Sequence, residues 1–434
     1  MTNESSAGLA PGRGKPGKEM RKAQGKGFKL LGHCDFGGPH MGDVMQILLK
    51  DHYLLCGHIG LSRAGVSVLD VSDSRNPRVV NQIPAPPNTH NTKLQISGDI
   101  MIVNNEKHGL GVPTKAGVDI YDISHLPDLR LISFFNVGGT GCHRMWFIDG
   151  RYAFLPGDDE GYCDQFLRIV DLSDPSRPEE AGRWWVPGMR DSEEREWRHM
   201  HTHKKDRRGQ YVETEGIPPG VQPKRVALHT PYAFGDRLYN AWWDSGFIIL
   251  DISDISNPRF ISNLELPPEE SASTHSVLVL PERKLCVVVD EFVAYDCEDM
   301  RKQIRVVDIA DERNPKVLSM LPVPEGDFEE RGGRFGPHNL HENRPGSLID
   351  QDHVYQCYFN GGLRVYDIKD PLNPRETAHY VPATPNRPPV HIAMGVHEYE
   401  VVQTQVDDIY VAVDGRVFLS ERLGGGVWIL EKEF

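Results

Sequence analysis

The chain of 434 residues has no apolar run near the ~18 residues that a membrane-spanning helix needs. It has no apolar stretch close to its N-terminus of the kind a secretory signal carries, so a cytoplasmic protein without a membrane partner is expected. Its seven cysteines (Cys34, Cys56, Cys142, Cys163, Cys286, Cys297 and Cys357) are odd in number, scattered and without a CxxC pair. Neither a disulfide framework nor a zinc ribbon is indicated, and the thiols are expected to be reduced and mostly buried. The glycine clusters at Gly138-Gly139, Gly332-Gly333 and Gly424-Gly425-Gly426 do not sit between a strand and a helix. They read as β-turns and exclude a nucleotide, flavin or nicotinamide loop of the usual kind. Basic charge is also short: the formal net charge is −14, which argues against a nucleic-acid partner. A basic cluster from Arg13 to Lys26 lies among Gly, Ser and Pro, so residues 1–27 are expected to be a disordered tail.

What the chain has instead is a repeat. GFIILDISDISNPRFI, from Gly246, joins an apolar, β-branched run to an Asp/Ser/Asn/Pro turn and a second short apolar run. That order predicts a β-hairpin. Copies begin at Gly65, Gly117, Leu167, Ile304 and Gly362, with a truncated one at Gly426. Aligned on the acid, they place Asp70, Asp122, Asp171, Asp251, Asp308, Asp367 and Glu431 at spacings of 49 to 80 residues. Seven such units, with 42 Gly and 32 Pro for turns, predict an all-β, seven-bladed β-propeller forming a single domain over 28–434. The longest spacing marks an insertion at about 184–226.

The last copy lacks an outer strand, while FKLLGH from Phe28 is a strand without a blade. Pairing the two closes the ring and removes a sheet edge. The segments LRIVD at Leu167 and IRVVD at Ile304 nearly spell the name of the LVIVD-repeat β-propeller family, which the chain resembles over about 28–431. The resemblance implies the fold and leaves the chemistry to the site.

In a propeller the strand following each hairpin's connection lines the central channel. Several of these innermost strands open on a histidine: THN at His90, CHR at His143, LHT at His229, THS at His275 and PHN at His338. Ring symmetry brings them to one level of a narrow channel, where converging neutral imidazoles can hold a transition metal. His143, His229, His275 and His338, each followed by an apolar strand, are the expected ligands. His40 and His90 are less regular, and the seventh position is His397 or, by its distance to Glu431, Asp407. Glu106, Asp159, Asp244, Glu291 and Glu421 are placed to accept the other N–H of a ligating imidazole. His341 and Glu342, just beyond His338, are expected to form a proton-transfer pair beside the metal, with Glu291 as a further catalytic acid. The layout is similar to the four-histidine iron site of carotenoid-cleavage oxygenases, which are also seven-bladed, although their other motifs are absent.

The insertion holds Trp184, Trp185 and Trp197, then alternating His199, His201 and His203, then Lys204, Lys205, Arg207 and Arg208. So many cations disfavour a metal there, and a lid over the channel mouth, with tryptophans towards substrate, is expected. Together these features point to a mononuclear non-haem oxidoreductase or oxygenase acting on a small organic molecule, with an aromatic one among the candidates. Fe(II) is the favoured metal, with Zn, Mn or Cu as alternatives. A metal-dependent hydrolase or lyase and a non-catalytic interaction scaffold stay open beside it.

Overall fold

A computed structural model of the chain describes residues 19–109, 111–201, 221–266, 273–394 and 397–434. Seven antiparallel sheets follow one another around a ring, one for each copy of the repeat. Blade one runs from Val44–Lys50 to Arg78–Pro84, blade four from Thr230–Phe234 to Arg259–Leu264, and blade five from Thr274–Leu280 to Lys316–Met320. The innermost strands of blades three and six are irregular and are held by the bridges Trp146 to Phe154 and Leu340 to Gln356. Blade seven opens on Val406–Val411, so Asp407 and not His397 lies on its inner strand. His397 belongs instead to a hairpin of Val390–Met394 with His397–Val401.

The repeated aspartate explains the turn it ends. Its Oδ1 accepts the backbone N–H two residues on at Ser72, Ser124, Ser173, Ser253, Ala310 and Lys369, at 2.7 to 2.9 Å. The turn therefore forms from local side chain to backbone bonding before any packing occurs. The arginine that follows the turn returns to the same carboxylate in Arg78–Asp70, Arg130–Asp122 and Arg375–Asp367. A register shift recurs in all seven blades between the strand that carries the repeat's apolar run and the strand outside it, as at Ile249/Leu250 and Leu30/Gly32. Such bulges strengthen local twist, which each blade needs to face the next around a closed ring.

Closure follows the expected route. Phe28–Cys34 is the outermost strand of blade seven, paired from Phe28 with Lys432 to Cys34 with Val427. The tail is shorter than expected, because Gln24–Lys26 adds to the outer edge of blade six, Gln24 opposite Val381 and Lys26 opposite His379. Residues 1–18 lie outside the described residues. Helix among the described residues is limited to three single turns, and no helix is long and apolar enough to cross a membrane. All seven cysteines are free, and all but the half-buried Cys163 are buried.

Candidate metal centre

The four expected histidines come together at the axis as an arc. Ring centroids are 4.8 Å apart from His143 to His229, 3.8 Å from His229 to His275 and 4.5 Å from His275 to His338. Each ring is fixed at Nδ1. His143 donates to Glu106 Oε2 at 2.6 Å, His229 to the carbonyl of His275 at 2.8 Å, and His338 to the carbonyl of Asp407 at 3.1 Å. His275 Nδ1 shares a 2.7 Å hydrogen bond with Ser276 Oγ. Holding Nδ1 in this way sets the tautomer and leaves Nε2 for a ligand.

Glu291 completes the group. Its Oε2 lies 3.5 Å from His275 Nε2 and its Oε1 lies 3.7 Å from His338 Nε2. One donor atom each from His229, His275 and Glu291 falls within a 4.8 Å span, and all three residues are buried. Donors sharing one ion at bonds of roughly 2.0–2.2 Å lie about 3 to 4 Å from one another, so these residues fit a metal with little movement. The compact donor set is thus two imidazoles and a carboxylate, with His338 beside them, whereas sequence reading made Glu291 a catalytic acid outside the metal's ligands. His143 stands at the outer end of the arc under the hold of Glu106.

Burial, first, and then neighbouring charge hold three of the imidazoles neutral. His229 is pushed well below the usual range by burial, His275 and His143; His275 by burial, His338 and Arg144; His338 by burial, Lys93 and Arg422. Neutral imidazole is the form that ligates. Burial alone would raise the Glu106 carboxyl, but His143 and His90 draw it below the ordinary value. His90 donates from Nε2 to this carboxylate at 3.0 Å, extending the polar arc into blade two. His40 sits in a loop against Gly424, outside the arc's contacts.

Other expected roles are corrected. His341 does not move protons beside the site: its Nε2 donates to the carbonyl of Leu348 at 2.9 Å and its Nδ1 accepts the N–H of Val411 at 3.2 Å. Both ring nitrogens are committed to backbone. Glu342 is clamped by Arg144 at 2.6 Å and Arg344 at 3.4 Å, and these guanidiniums outweigh its burial and hold it ionised. The two residues therefore serve packing and charge balance. Of the proposed imidazole partners, Asp159 pairs with Arg183, Asp244 accepts the N–H of Arg225, and Glu421 accepts the N–H groups of Gln405, Leu423 and Gly425.

Two of the insertion's tryptophans pack among other aromatic side chains. Trp184 packs on Trp242 and Phe260 of blade four, and Trp185 on Tyr162 and Phe166 within blade three. Trp197–His199 pairs in parallel with Gln222–Lys224. His203, Lys204, Lys205, Arg207 and Arg208 lie outside the described residues. His199 and His201 gather near Asp164 as a second candidate donor group. Arg225 reaches its carboxylate at 3.3 Å, much as Arg334 reaches Glu291 at 3.0 Å, and what separates the two groups is burial, since His201 is exposed while His229, His275 and Glu291 are all buried.

The aromatic walls come from residues that the sequence reading passed over. Trp243 lies edge-on to His229 at 4.9 Å and to His275 at 6.1 Å, and Phe359 stacks on His338 at 4.8 Å. Arg225 covers Trp243 at 4.7 Å. Arg225 and Glu106, the partners of Trp243 and His143, also line a cleft of about 650 Å³. Side-chain exposure falls from 23% at His143 to 1% at His275, so the arc is most open at its His143 end.

The LVIVD repeat family model matches residues 148–185 and 232–265, which are blade three's hairpin and blade four. No curated protein matches the chain. Among solved structures, the WD40 repeats of RRP9 superpose with a TM-score of 0.54 at 9% identity, covering 95% of this chain and 99% of that one. U3-55K gives 0.53 at 8% identity over 91% and 100% of the two chains. The β-propeller domain of Myceliophteria thermophila Cps50 (Swd1) gives 0.51 at 10% identity over 93% and 99%. At such identities the likeness is one of fold alone.

Proposed function

We propose that this LVIVD-repeat propeller is a metal-dependent enzyme holding one transition-metal ion through His229, His275 and Glu291, with His338 as the neighbouring donor. The observation that carries the reading is the buried donor set of two imidazoles and one carboxylate, with the ring nitrogens that face away from it already bonded. Two histidines and a carboxylate leave coordination positions open, the pattern that suits non-haem Fe(II) and its oxidative chemistry. Fe(II) is accordingly the favoured metal, and a small organic molecule entering by the cleft beside His143 is the substrate class. The protein's own contribution is to orient the imidazoles, to wall the site with Trp243 and Phe359, and to exclude bulk water from it.

The test is elemental analysis of tag-free protein, as purified and after separate loading with Fe(II), Mn(II), Zn(II) and Cu(II). Wild type is expected to bind about one ion, while His275→Ala and Glu291→Gln lose about tenfold or more of the affinity. Fe(II) loading should give an oxygen-sensitive absorption or paramagnetic signal that both variants lack. Failure of every metal to bind above the variants' level would leave the scaffold reading in its place.

A further inference from the structure

Beneath the histidine arc, the channel holds an ion network that does not balance. Arg144 leaves blade three and crosses the axis to blade six, where it meets Asn339 and Glu342. Arg344 returns from blade six to blade two, donating to Gln95 and to the carbonyl of Ile96, each at 3.0 Å. Arg334 pairs with Glu291 at 3.0 Å and Arg422 with Asp407 at 3.2 Å. Each of these arginines has a carboxylate.

Lys93 has none. It is fully buried just ahead of blade two's innermost strand, and its Nζ has no hydrogen-bond partner among the described residues. Burial pushes the pKa of its ammonium down, Asp407 and Asp408 pull it up, and Arg144 and Arg422 push it down further. Asp408, the carboxylate that might have served it, accepts the N–H of Ile47 instead and is pushed up to about 7 by burial. Four buried guanidiniums and the Lys93 amine thus face three carboxylates paired with arginine, one of which, Asp407, keeps an Oδ1 without a hydrogen bond, and a fourth that holds its proton up to neutral pH. Nε of Arg144, Arg334 and Arg422 is also unpartnered and buried. Interiors rarely leave so many polar atoms unmet, and an uncompensated buried charge is costly.

We propose that the channel takes up a carboxylate, with the ammonium of Lys93 as its counter-charge and the arc above as the seat of the rest of the molecule, so that the substrate is a small organic acid. This rests on the metal reading only for the word substrate. A divalent ion at His229, His275 and Glu291 would add positive charge to a region already in surplus, which strengthens the need for an anion. A singly charged carboxylate fits better than a phosphate, because the charged ends of Arg144, Arg344 and Arg422 are already engaged by Glu342 and Asp407. A single free ammonium matches a single negative charge.

The experiment is calorimetric titration of acetate, benzoate and inorganic phosphate into the full chain at neutral pH, both metal-loaded and metal-stripped. Wild type is expected to bind benzoate in both states, more weakly when stripped, and to prefer it to phosphate. Lys93→Met and, should that variant not fold, Lys93→Gln are expected to bind it about tenfold or more weakly, the loss of one charged hydrogen bond. Lys93→Arg should restore part of the affinity. Binding that is equal in wild type and Lys93 variants, tighter phosphate than benzoate, or no carboxylate binding in either state would overturn the assignment. Lys93-dependent binding to a protein that takes up no metal would instead leave the carboxylate site standing and remove the metal.

Discussion

His341 and His338 stand three residues apart and do different work, which shows how little a residue's type fixes its role. Three residues of extended chain span roughly 10 Å, enough to carry His341 to the backbone of blade seven while His338 stays at the axis. Burial lowers the pKa of His341 to about 4, against about 6.5 in an unfolded chain. The unfolded state therefore takes a proton first as pH falls. The contribution of His341 to stability is complete above about 6.5 and is lost progressively towards 4. His341→Ala strands the carbonyl of Leu348 and the N–H of Val411, at about 1–3 kcal/mol for each group left unmet. Urea unfolding should show a clear deficit for the variant at pH 7 and a smaller one at pH 5, with metal content unchanged throughout. An equal deficit at both pH values, or a loss of metal, would restore the catalytic role that the sequence suggested.

At the scale of the element, most of the architecture was open to reading because each blade announces itself through a local signal. The aspartate of the turn bonds the N–H two residues on, so its chemistry is complete within a few residues of chain. The histidines were legible for a related reason: a residue opening an innermost strand must reach the axis. The bulge at every outer strand left no sequence mark, since any residue of the run can occupy it. Trp243, Phe359 and Lys93 were missed because nothing local sets them apart, and the direction of the Trp184 indole was not legible because it depends on the next blade, distant in sequence. The closing strand permits a direct test. Removing residues 1–26 costs the three-residue pairing with blade six and the contacts of Arg21 with Thr384 and Asp327 and of Glu19 with Gln403, none of which closes the ring, so that variant should keep the size distribution of the wild type with a lower melting temperature. Removing residues 1–34 strips the whole partner of Gly426–Lys432 and bares an apolar edge strand, which invites pairing between molecules. Light scattering should find it aggregated or enlarged, and a well-behaved particle of unchanged size would show that the ring does not depend on its clasp.

For the whole molecule, the question is what keeps seven blades in one ring once a polar channel runs through the middle. Neighbouring blades bury apolar faces against each other, as in the continuous cluster spanning blades three to six, and such contacts act only between neighbours. The struts through Arg144 and Arg344 act across the ring instead, tying blade three to blade six and blade six to blade two, with Glu342 at the junction of both. Glu342→Ala should leave two buried guanidiniums without their anion, and breaking a buried pair in this way costs about 3–5 kcal/mol. Metal removal should do far less to the fold, because the histidine arc joins blades that already pack side by side. Chelation is therefore expected to lower the melting temperature only as far as bound metal had raised it by mass action, with the circular dichroism of the sheets intact. Glu342→Ala should lower it with or without metal present. If chelation unfolded the ring while Glu342→Ala left it stable, the metal would be the axle and the ion network incidental, the reverse of the order these contacts imply.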